Sequence, residues 1–352
     1  MDFFSFLLQE NIIMSATIIV DAFWGDAGKG KIAAYICQTY EAKLCIRAGV
    51  GTNAGHSIYT SDGIRIASRQ LPLGWLNPNT QIRVGSGVVL NMSILFDEME
   101  KWDLNLRTKV DFRCPIVTPE HIEQERMDDT MDFIDSTKTG SGCARADFIM
   151  RRAKQARDIP ELKDYITDVA LEANQSAKEH LVVIEGSQAT FISLALSPDY
   201  PFTTSDNCTT AAFMDDVGLN WRYLDKVIML VKCLPTRVGE GPLPNEMTWQ
   251  EIDSKGLQEY GVVTGRPRRK AREIDWEKLQ YATMLNGPTE IALTFCDHYD
   301  RNITGATSAD KITPSIQSLV QKVEHVTDTP VTLLETGKIF PSIIDLRKEK
   351  IR

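Results

Sequence analysis

Short apolar runs, many of them β-branched, recur along the chain and alternate with longer amphipathic stretches. The first run, ATIIV at 16–20, is typical of a strand buried on both faces of a parallel sheet. Six further runs have the same character: 43–46, 82–84, 181–184, 226–231, 291–295 and 331–334. The stretches between them that have helical spacing of apolar residues are 32–40, 92–102, 160–176 and 276–286. This alternation predicts an α/β fold with a mostly parallel central sheet flanked by helices.

The chain carries no Ser-, Pro- or Gly-rich linker long enough to divide it, so we expect residues 14–352 to form one catalytic domain. Residues 1–13, MDFFSFLLQENII, are apolar in part, but they open with Asp2 rather than a basic region. They are too short to span a membrane and lack a small-residue cleavage site. We interpret them as a disordered N-terminal extension.

Charge and cysteine content narrow the class of protein. A formal net charge of −9 argues against general nucleic-acid binding, so phosphate contacts must come from a few placed groups. The seven cysteines form no CxxC pair, and neither a zinc knuckle nor a disulfide framework is indicated. We expect a cytoplasmic protein with no membrane or nucleic-acid partner.

A glycine-rich loop, WGDAGKGK at 24–31, joins the first predicted strand to the first helix. This arrangement directs backbone N–H groups and a helix N-terminus at phosphate. The loop is not GxxxxGK[ST], and Ile32 follows Lys31 where a P-loop kinase or GTPase has Ser or Thr. Asp26 lies inside the loop, where a carboxylate can ligate Mg²⁺ or act as a base beside phosphates. A tight turn without a ligand is the alternative interpretation.

Two further loops carry candidate chemistry. GVGTNAGHS at 49–57 places His56 after a predicted strand, with glycines that let the backbone approach a ligand. GVVTGRPRR at 261–269 holds three arginines, a composition that suits bidentate capture of a dicarboxylate. A solvated basic loop is the alternative for the second segment.

Together, WGDAGKGK and GVGTNAGHS resemble the signature of the adenylosuccinate synthetase family, QWGDEGKGK followed by NAGH. The likeness continues in order from Met14 through LPLGWLNPNTQIRVGSGVVLN, KTGSGCARADFIMRR, VVIEGSQAT, DYPFTTSDNCTT, PTRVGEGPLPNE, GVVTGRPRR, LTFCD and LLETG. The sequences of these motifs are most similar to those of short archaeal and viral members. The resemblance implies a P-loop-like adenylosuccinate synthetase fold. It also implies a C–N ligase that phosphorylates a purine monophosphate at its 6-oxygen and then lets L-aspartate displace the phosphate.

The resemblance also implies roles for individual residues. Asp26 would take the N1 proton, His56 would donate to the transferring phosphoryl group, and Gln188 would hold the 6-phosphoryl group. Mg²⁺ would be held by Asp26 and the carbonyl of Gly55. The nucleoside triphosphate, GTP or ATP, would contact Gly25, Ala27, Gly28, Lys29, Gly30, Lys31, Gly55, His56, Ser57, Asp297 and Gly337. Because Phe295 replaces the family's usual lysine before this aspartate, GTP is favoured only weakly over ATP.

The resemblance also implies which residues bind the other two substrates. The purine monophosphate would contact Asn53, Thr139, Arg151, Gln188, Thr204, Val238 and Arg266. Aspartate would contact Val263, Thr264, Arg266 and Arg268. In the family the arginine corresponding to Arg151 comes from the partner subunit, so a homodimer is implied. The alternative is an ordinary basic residue on an amphipathic helix.

Several positions around the predicted pocket depart from the family pattern, among them Asp21, Phe23 and Ala27. Phage members that carry an aspartate at Asp21 and a Phe-Cys pair such as Phe295-Cys296 convert dGMP for diaminopurine DNA. A buried 2-amino group needs an acceptor, which Asp21 can supply. Many of those members replace the catalytic aspartate with serine, whereas Asp26 is retained here. A carboxylate can pair with N1–H and the 2-amino group together, so this retention does not exclude guanine. On the strength of Asp21 and the Phe-Cys pair we favour dGMP, with IMP as the alternative. A non-catalytic regulator would not need Asp26, His56 and Gln188 together.

Overall fold

The computed structural model describes residues 15–263 and 265–351. Within them the strands, numbered β1 to β14, are Ala16–Asp21, Leu44–Ala48, His56–Tyr59, Arg65–Ser68, Gln81–Val84, Thr108–Asp111, Ile166–Thr167, Val182–Gly186, Leu224–Lys232, Thr236–Arg237, Arg269–Lys270, Glu290–Thr294, Val331–Glu335 and Ile343–Asp345. The α-helices, numbered α1 to α12, are Lys29–Thr39, Met92–Lys101, Pro119–Met127, Asp129–Phe133, Ser141–Ile149, Val169–Ser176, Thr210–Val217, Trp249–Ser254, Trp276–Asn286, Cys296–Tyr299, Pro314–Thr327 and Arg347–Lys350.

Ten of the described strands form one sheet in the order β14-β13-β12-β9-β1-β8-β2-β5-β6-β7. Every neighbouring pair is parallel except β13 and β14, which are antiparallel at one edge. The predicted α/β class with a mostly parallel sheet is confirmed. The central position of β1 brings the loop that follows it to the middle of the sheet's carboxyl edge, where ligands of open α/β sheets bind.

Helices cover both faces of the sheet, which explains why its strands are apolar at consecutive positions. In β1 the side chains alternate between two cores: Ile18 and Val20 pack in one, and Ile19 packs in the other. The first core receives residues of α7, α9 and α11, and the second receives residues of α1 and α2. Each of the six β1 residues is buried, as the unbroken apolar run predicted.

All seven predicted strands are present, with ends that differ by up to two residues. The helix predicted at 276–286 has the same bounds as α9, and those predicted at 32–40 and 92–102 overlap α1 and α2. The prediction of one helix over 160–176 is wrong, because Ile166 and Thr167 pair with Val110 and Asp111 in the sheet. The side chain of Asp168 then caps α6 by accepting from the N–H of Leu171, so the helix begins only at Val169.

Two short antiparallel pairs stand outside the main sheet and shape its carboxyl edge. The pair β3–β4 begins at His56, and the pair β10–β11 joins the segments around Arg237 and Arg269. Among the described residues, no helix is long and apolar enough to cross a membrane. The predicted extension at 1–13 and Thr264 lie outside the described residues.

Candidate active site

A cavity of about 260 Å³ opens at the carboxyl edge of the sheet, where the loops after β1, β2, β8 and β9 meet. Fourteen of the residues predicted for the site line it: Gly25, Asp26, Ala27, Gly28, Lys29, Asn53, Gly55, His56, Ser57, Gln188, Thr204, Val238, Val263 and Arg268. They come from six separate stretches of the chain. The fold therefore gathers most of the implied catalytic, phosphate and aspartate residues around one space.

The glycine-rich loop turns sharply from β1 into α1. Gly28 has φ 86° and precedes the helix, and no side chain caps that helix end. Lys29 is buried, and its Nζ donates to the carbonyl of Gln188 at 2.6 Å and lies 3.3 Å from Asp21 Oδ2. A free helix N-terminus with a lysine beside it favours an anionic group at this point.

Close approach of His56 to α1 depends on a glycine. A Cβ atom at Gly30 would stand 2.8 Å from the Cβ of His56, closer than real side chains approach. The second glycine of GKGK therefore makes room for the histidine rather than contacting the cavity, which Gly30 does not line.

His56 lies on a buried ion pair between Arg47 and Glu185, both fully buried at the ends of β2 and β8. Arg47 Nη1 is 2.6 Å from Glu185 Oε1 and 2.9 Å from His56 Nδ1, which also contacts the carboxylate. Burial and the Arg47 charge lower the pKa of His56 to about 4, against the opposing influence of Glu185. The ring is therefore neutral near pH 7: its proton lies on Nε2 when Nδ1 accepts from Arg47, and on Nδ1 when that atom donates to the Glu185 carboxylate.

Two arginines of the 261–269 loop pair with carboxylates at the cavity. Arg268 Nη2 lies 2.7 Å from Asp26 Oδ2, and Arg266 forms an ion pair with Asp135. Asp26 has φ 57°, a left-handed conformation that is uncommon for a residue with a side chain. Guanidinium groups that already bind carboxylates of the chain can bind those of a dicarboxylate in the same way.

A chain of amide and hydroxyl groups forms another wall. Gln188 Nε2 donates to Asn53 Oδ1 at 2.9 Å, and Asn53 Nδ2 donates to Thr204 Oγ1 at 3.3 Å. These three residues come from loops after β8 and β2 and from the segment before α7. Their mutual contacts orient donors and acceptors toward the cavity without a charge.

Comparison with known proteins identifies the family. The chain matches the adenylosuccinate synthetase family at residues 18–163 and 157–302. It is 43% identical over 340 residues to the adenylosuccinate synthetase of Archaeoglobus fulgidus, covering 96% of this chain and 100% of that protein. It belongs to the adenylosuccinate synthetase family. The enzyme of Methanocaldococcus jannaschii is 39% identical over 347 residues, covering 97% of this chain and 100% of that one. The predicted C–N bond-forming ligase is thereby confirmed.

Solved structures show the same fold at lower identity. The fully ligated adenylosuccinate synthetase of Plasmodium falciparum has a TM-score of 0.85 at 23% identity, covering 94% of this chain and 99% of that chain. The cyanophage S-2L succinoaminodeoxyadenylate synthetase, bound to dGMP and dATP, has a TM-score of 0.79 at 24% identity. That match covers 95% of each chain. Both show that the fold is the one expected for an adenylosuccinate synthetase.

Some residues predicted for the synthetase site do not line the cavity. The Asp21 carboxylate is buried beneath Lys29 and accepts from the N–H of Phe23 at 3.0 Å. Lys31 is also buried, with its Nζ 2.8 Å from Glu335 Oε1 and in contact with the carbonyl of Gly337. The others outside the lining are Gly30, Thr139, Arg151, Arg266, Asp297 and Gly337. Their roles in the ligase stay predictions, as does that of Thr264.

Several residues of this adenylosuccinate synthetase site were not predicted from the sequence. Glu185 lies in the segment VVIEGSQAT, and a charged residue within a predicted buried strand could have indicated its role. Lys232, at the end of β9, carried the same signal and is 1% exposed. Glu259 lines the cavity, and only contacts between distant segments bring it there.

Proposed function

We propose that this synthetase joins L-aspartate to C6 of dGMP, using a nucleoside triphosphate, to give a succino-2-aminodeoxyadenylate for diaminopurine DNA of a phage. The observation that carries the reaction type is the common cavity of Asp26, His56, Gln188 and Arg268. A base, a phosphoryl donor site, an amide and a dicarboxylate-binding arginine in one space are the groups that this two-step reaction needs.

In the first step the Asp26 carboxylate takes the proton from N1 of the purine, and the electron pair moves to the 6-oxygen. That oxygen attacks the γ-phosphorus of the triphosphate, the bond to the bridging oxygen breaks, and the nucleoside diphosphate leaves. The neutral His56 ring would donate from Nε2 to the charge that grows on the phosphoryl group, in the tautomer whose Nδ1 accepts from Arg47.

The residues present fit Mg²⁺. In the described part of the chain, no group of three or more His, Cys, Asp or Glu side chains could hold a metal ion. Mg²⁺ in phosphoryl-transfer sites keeps water and phosphate ligands and needs only one or two protein carboxylates. The Asp26 carboxylate, with the Gly55 carbonyl, would hold it. When bound, the ion would neutralise charge on the phosphate oxygens.

In the second step the amine of aspartate attacks C6, the C–O bond to the 6-phosphoryl group breaks, and phosphate leaves. Arg268 would bind one carboxylate of the substrate aspartate and would give up its ion pair with Asp26 to do so. Arg266, Val263 and Thr264 would complete this subsite. The amide of Gln188, held by Asn53, would donate to the departing phosphate.

A guanine substrate is supported by Asp21 and Phe295 and is compatible with Asp26. The retained Asp26 carboxylate has two oxygens, so it can accept from N1–H and from the 2-amino group together, although many dGMP-converting members carry serine there. The synthetase also carries Asp21 and Phe295 at positions where dGMP-converting phage members carry an aspartate and a phenylalanine. The structure places Asp21 beneath Lys29, so it would act by positioning that lysine unless the pair opens. IMP is the second candidate, because the archaeal relatives near 40% identity are named adenylosuccinate synthetases.

GTP or ATP would donate the phosphoryl group, and the cyanophage neighbour was solved with dATP as its energy donor. Phe295 lines the cavity and offers a ring face that stacks on either base. We also infer a homodimer in which Arg151 reaches the partner's site. Arg151 is exposed just after α5, beside the exposed apolar residues Ile149 and Met150, as an interface would require.

The deciding experiment offers dGMP, GMP and IMP separately to the purified protein with Mg²⁺, aspartate and either GTP or ATP. Succinyl-adduct formation is followed by mass spectrometry. Turnover of dGMP well above IMP is the expected result. Turnover of IMP alone would show an ordinary adenylosuccinate synthetase, and no adduct from any of the three would overturn the proposed reaction.

A further inference from the structure

Lys232 ends β9 directly beneath the cavity and has no predicted role in the reaction. Its side chain is 1% exposed, and all three ammonium protons have acceptors. Nζ donates to the Asp26 carbonyl at 2.9 Å, to Thr236 Oγ1 at 2.8 Å and to Glu259 Oε2 at 2.6 Å. A lysine this deeply buried is costly unless its contacts are complete, so these three contacts hold it in one place.

Glu259 connects the same ammonium to the arginine loop. Its carboxylate contacts Lys232 and Lys270, and its Oε1 lies 3.4 Å from His298 Nδ1. Its backbone carbonyl accepts from the N–H of Arg268 at 2.8 Å. Burial alone would raise the pKa of Glu259, but the Lys232 charge, a hydrogen bond with His298 and the Lys270 charge lower it well below its ordinary range. The carboxylate is therefore a permanent negative charge between the two lysines.

These contacts close a ring. The Asp26 carbonyl binds Lys232, Lys232 binds Glu259, Glu259 binds the backbone of Arg268, and the Arg268 guanidinium binds the Asp26 carboxylate at 2.7 Å. Asp26 is thus held twice, once by its backbone and once by its side chain. Its left-handed φ of 57° is a conformation that persists only when the surroundings enforce it.

We propose that Lys232 is a positioning residue for the reaction: it holds the backbone of Asp26 so that the carboxylate keeps its place in the cavity when Arg268 turns to the substrate aspartate. The inference rests on the proposed function in taking Asp26 as the base. Glu259 contacts both Lys232, through its carboxylate, and the loop of Arg268, through its backbone carbonyl. The aromatic ring of Phe295 also packs against this lysine, with its centroid 4.0 Å from Lys232 Nζ.

A purely structural lysine would predict a different result. Loss of a buried ion pair lowers stability without separating kcat from KM, whereas a displaced base lowers kcat while purine binding persists. A misplacement on the order of 1 Å is enough to cost about 100-fold in rate. The split between the two kinetic constants therefore distinguishes positioning from stability.

The experiment compares Lys232→Met, Lys232→Gln and Lys232→Arg with Lys226→Met. Lys226 is on the same strand, pairs with Glu290 at 3.3 Å and does not line the cavity, so it is a matched control. With dGMP, aspartate and Mg–GTP, Lys232→Met should lower kcat about tenfold or more, while KM for dGMP stays within about threefold. Lys232→Arg should recover part of kcat, and Lys226→Met should match the wild type.

A second readout needs no turnover. Hydrogen exchange of the peptide spanning residues 22–31 should speed up about tenfold or more in Lys232→Met and not in Lys226→Met. Wild-type kcat and exchange in Lys232→Met would overturn the proposal. If that variant does not fold, wild-type kcat in both the glutamine and arginine variants overturns it. A wild-type protein that makes no adduct refutes the proposed function instead, and exchange still reports on the Lys232 contact.

Discussion

The two sides of the cavity are built on different principles. On the His56 side, Arg47 and Glu185 are fully buried strand residues, and the arginine also donates to the carbonyl of Leu71 at 2.6 Å. On the side lined by Asp135, this carboxylate pairs with Arg266, and the two are loop residues whose side chains are 43% and 30% exposed. The sheet fixes the side chains around His56, whereas the position of Arg266 depends on an ion pair that is exposed to water.

This difference matches the order of the proposed chemistry. Phosphoryl transfer depends on donors that are already in place when charge develops, and a buried strand-borne network keeps them so. Aspartate capture needs guanidinium groups that exchange one carboxylate for another, and the partly exposed Arg266–Asp135 pair is weak enough to exchange. The four experiments below test this division, from the largest expected effect to the smallest.

The Asp26→Asn variant should lose about 100- to 10,000-fold in kcat, because the amide cannot accept the N1 proton. Steady-state kinetics with dGMP and IMP measure the loss, and Asp310→Asn, 69% exposed, is the control. Activity within tenfold of the wild type would show that Asp26 is not the base.

The Glu185→Gln variant should unfold more easily by about 3–5 kcal/mol, since it leaves the Arg47 charge buried without its partner. Urea unfolding measures this change. Glu251→Gln, which breaks an exposed pair with Arg272, should lower stability far less. Equal costs for the two variants would contradict a buried, pre-organised His56 side.

Acid should destabilise the protein through His56. Its pKa is lowered to about 4 from 6.5, so the unfolded chain binds a proton that the folded chain does not, and stability falls as pH drops from 6.5 toward 4. The loss is roughly 2 kcal/mol by pH 4.5.

Asp216 changes stability with pH in the opposite direction. Burial raises its pKa to about 6, so the stability that it contributes falls as pH rises from 3.8 toward 6. Urea midpoints of the wild type and His56→Asn, compared at pH 7 and pH 4.5, isolate the histidine. The variant should show the smaller acid loss, and equal losses would contradict the shift.

The Asp135→Ala variant should lower KM for aspartate about two- to fivefold, because an exposed carboxylate no longer competes for Arg266. Asp132→Ala removes a neighbouring carboxylate that pairs with Lys138 instead and should leave KM unchanged. A raised KM in Asp135→Ala would mean that Asp135 helps to hold the arginine in place for the substrate.

Elements were predictable from sequence where one local pattern decided them. The run at 16–20 became β1 because every side chain is buried against helices on both faces. The segment 160–176 was misread because Ile166 and Thr167 suit either state locally, and only pairing with Val110 and Asp111 selects the strand. The strand expected to include Phe295 stops at Thr294, since Phe295 adopts φ 55° and begins a short helix.

At the site, the sequence alone determined the family and the loops that carry Asp26, His56, Gln188 and Arg268, because glycine spacing and residue type are local features. Only the tertiary structure decided which of these share a cavity, that Asp21 pairs with Lys29 beneath it, and that Lys232 and Glu259 hold the Asp26 loop. The Lys232–Asp26 contact joins residues 206 positions apart, and burial and charge partners exist only once the sheet has brought such segments together.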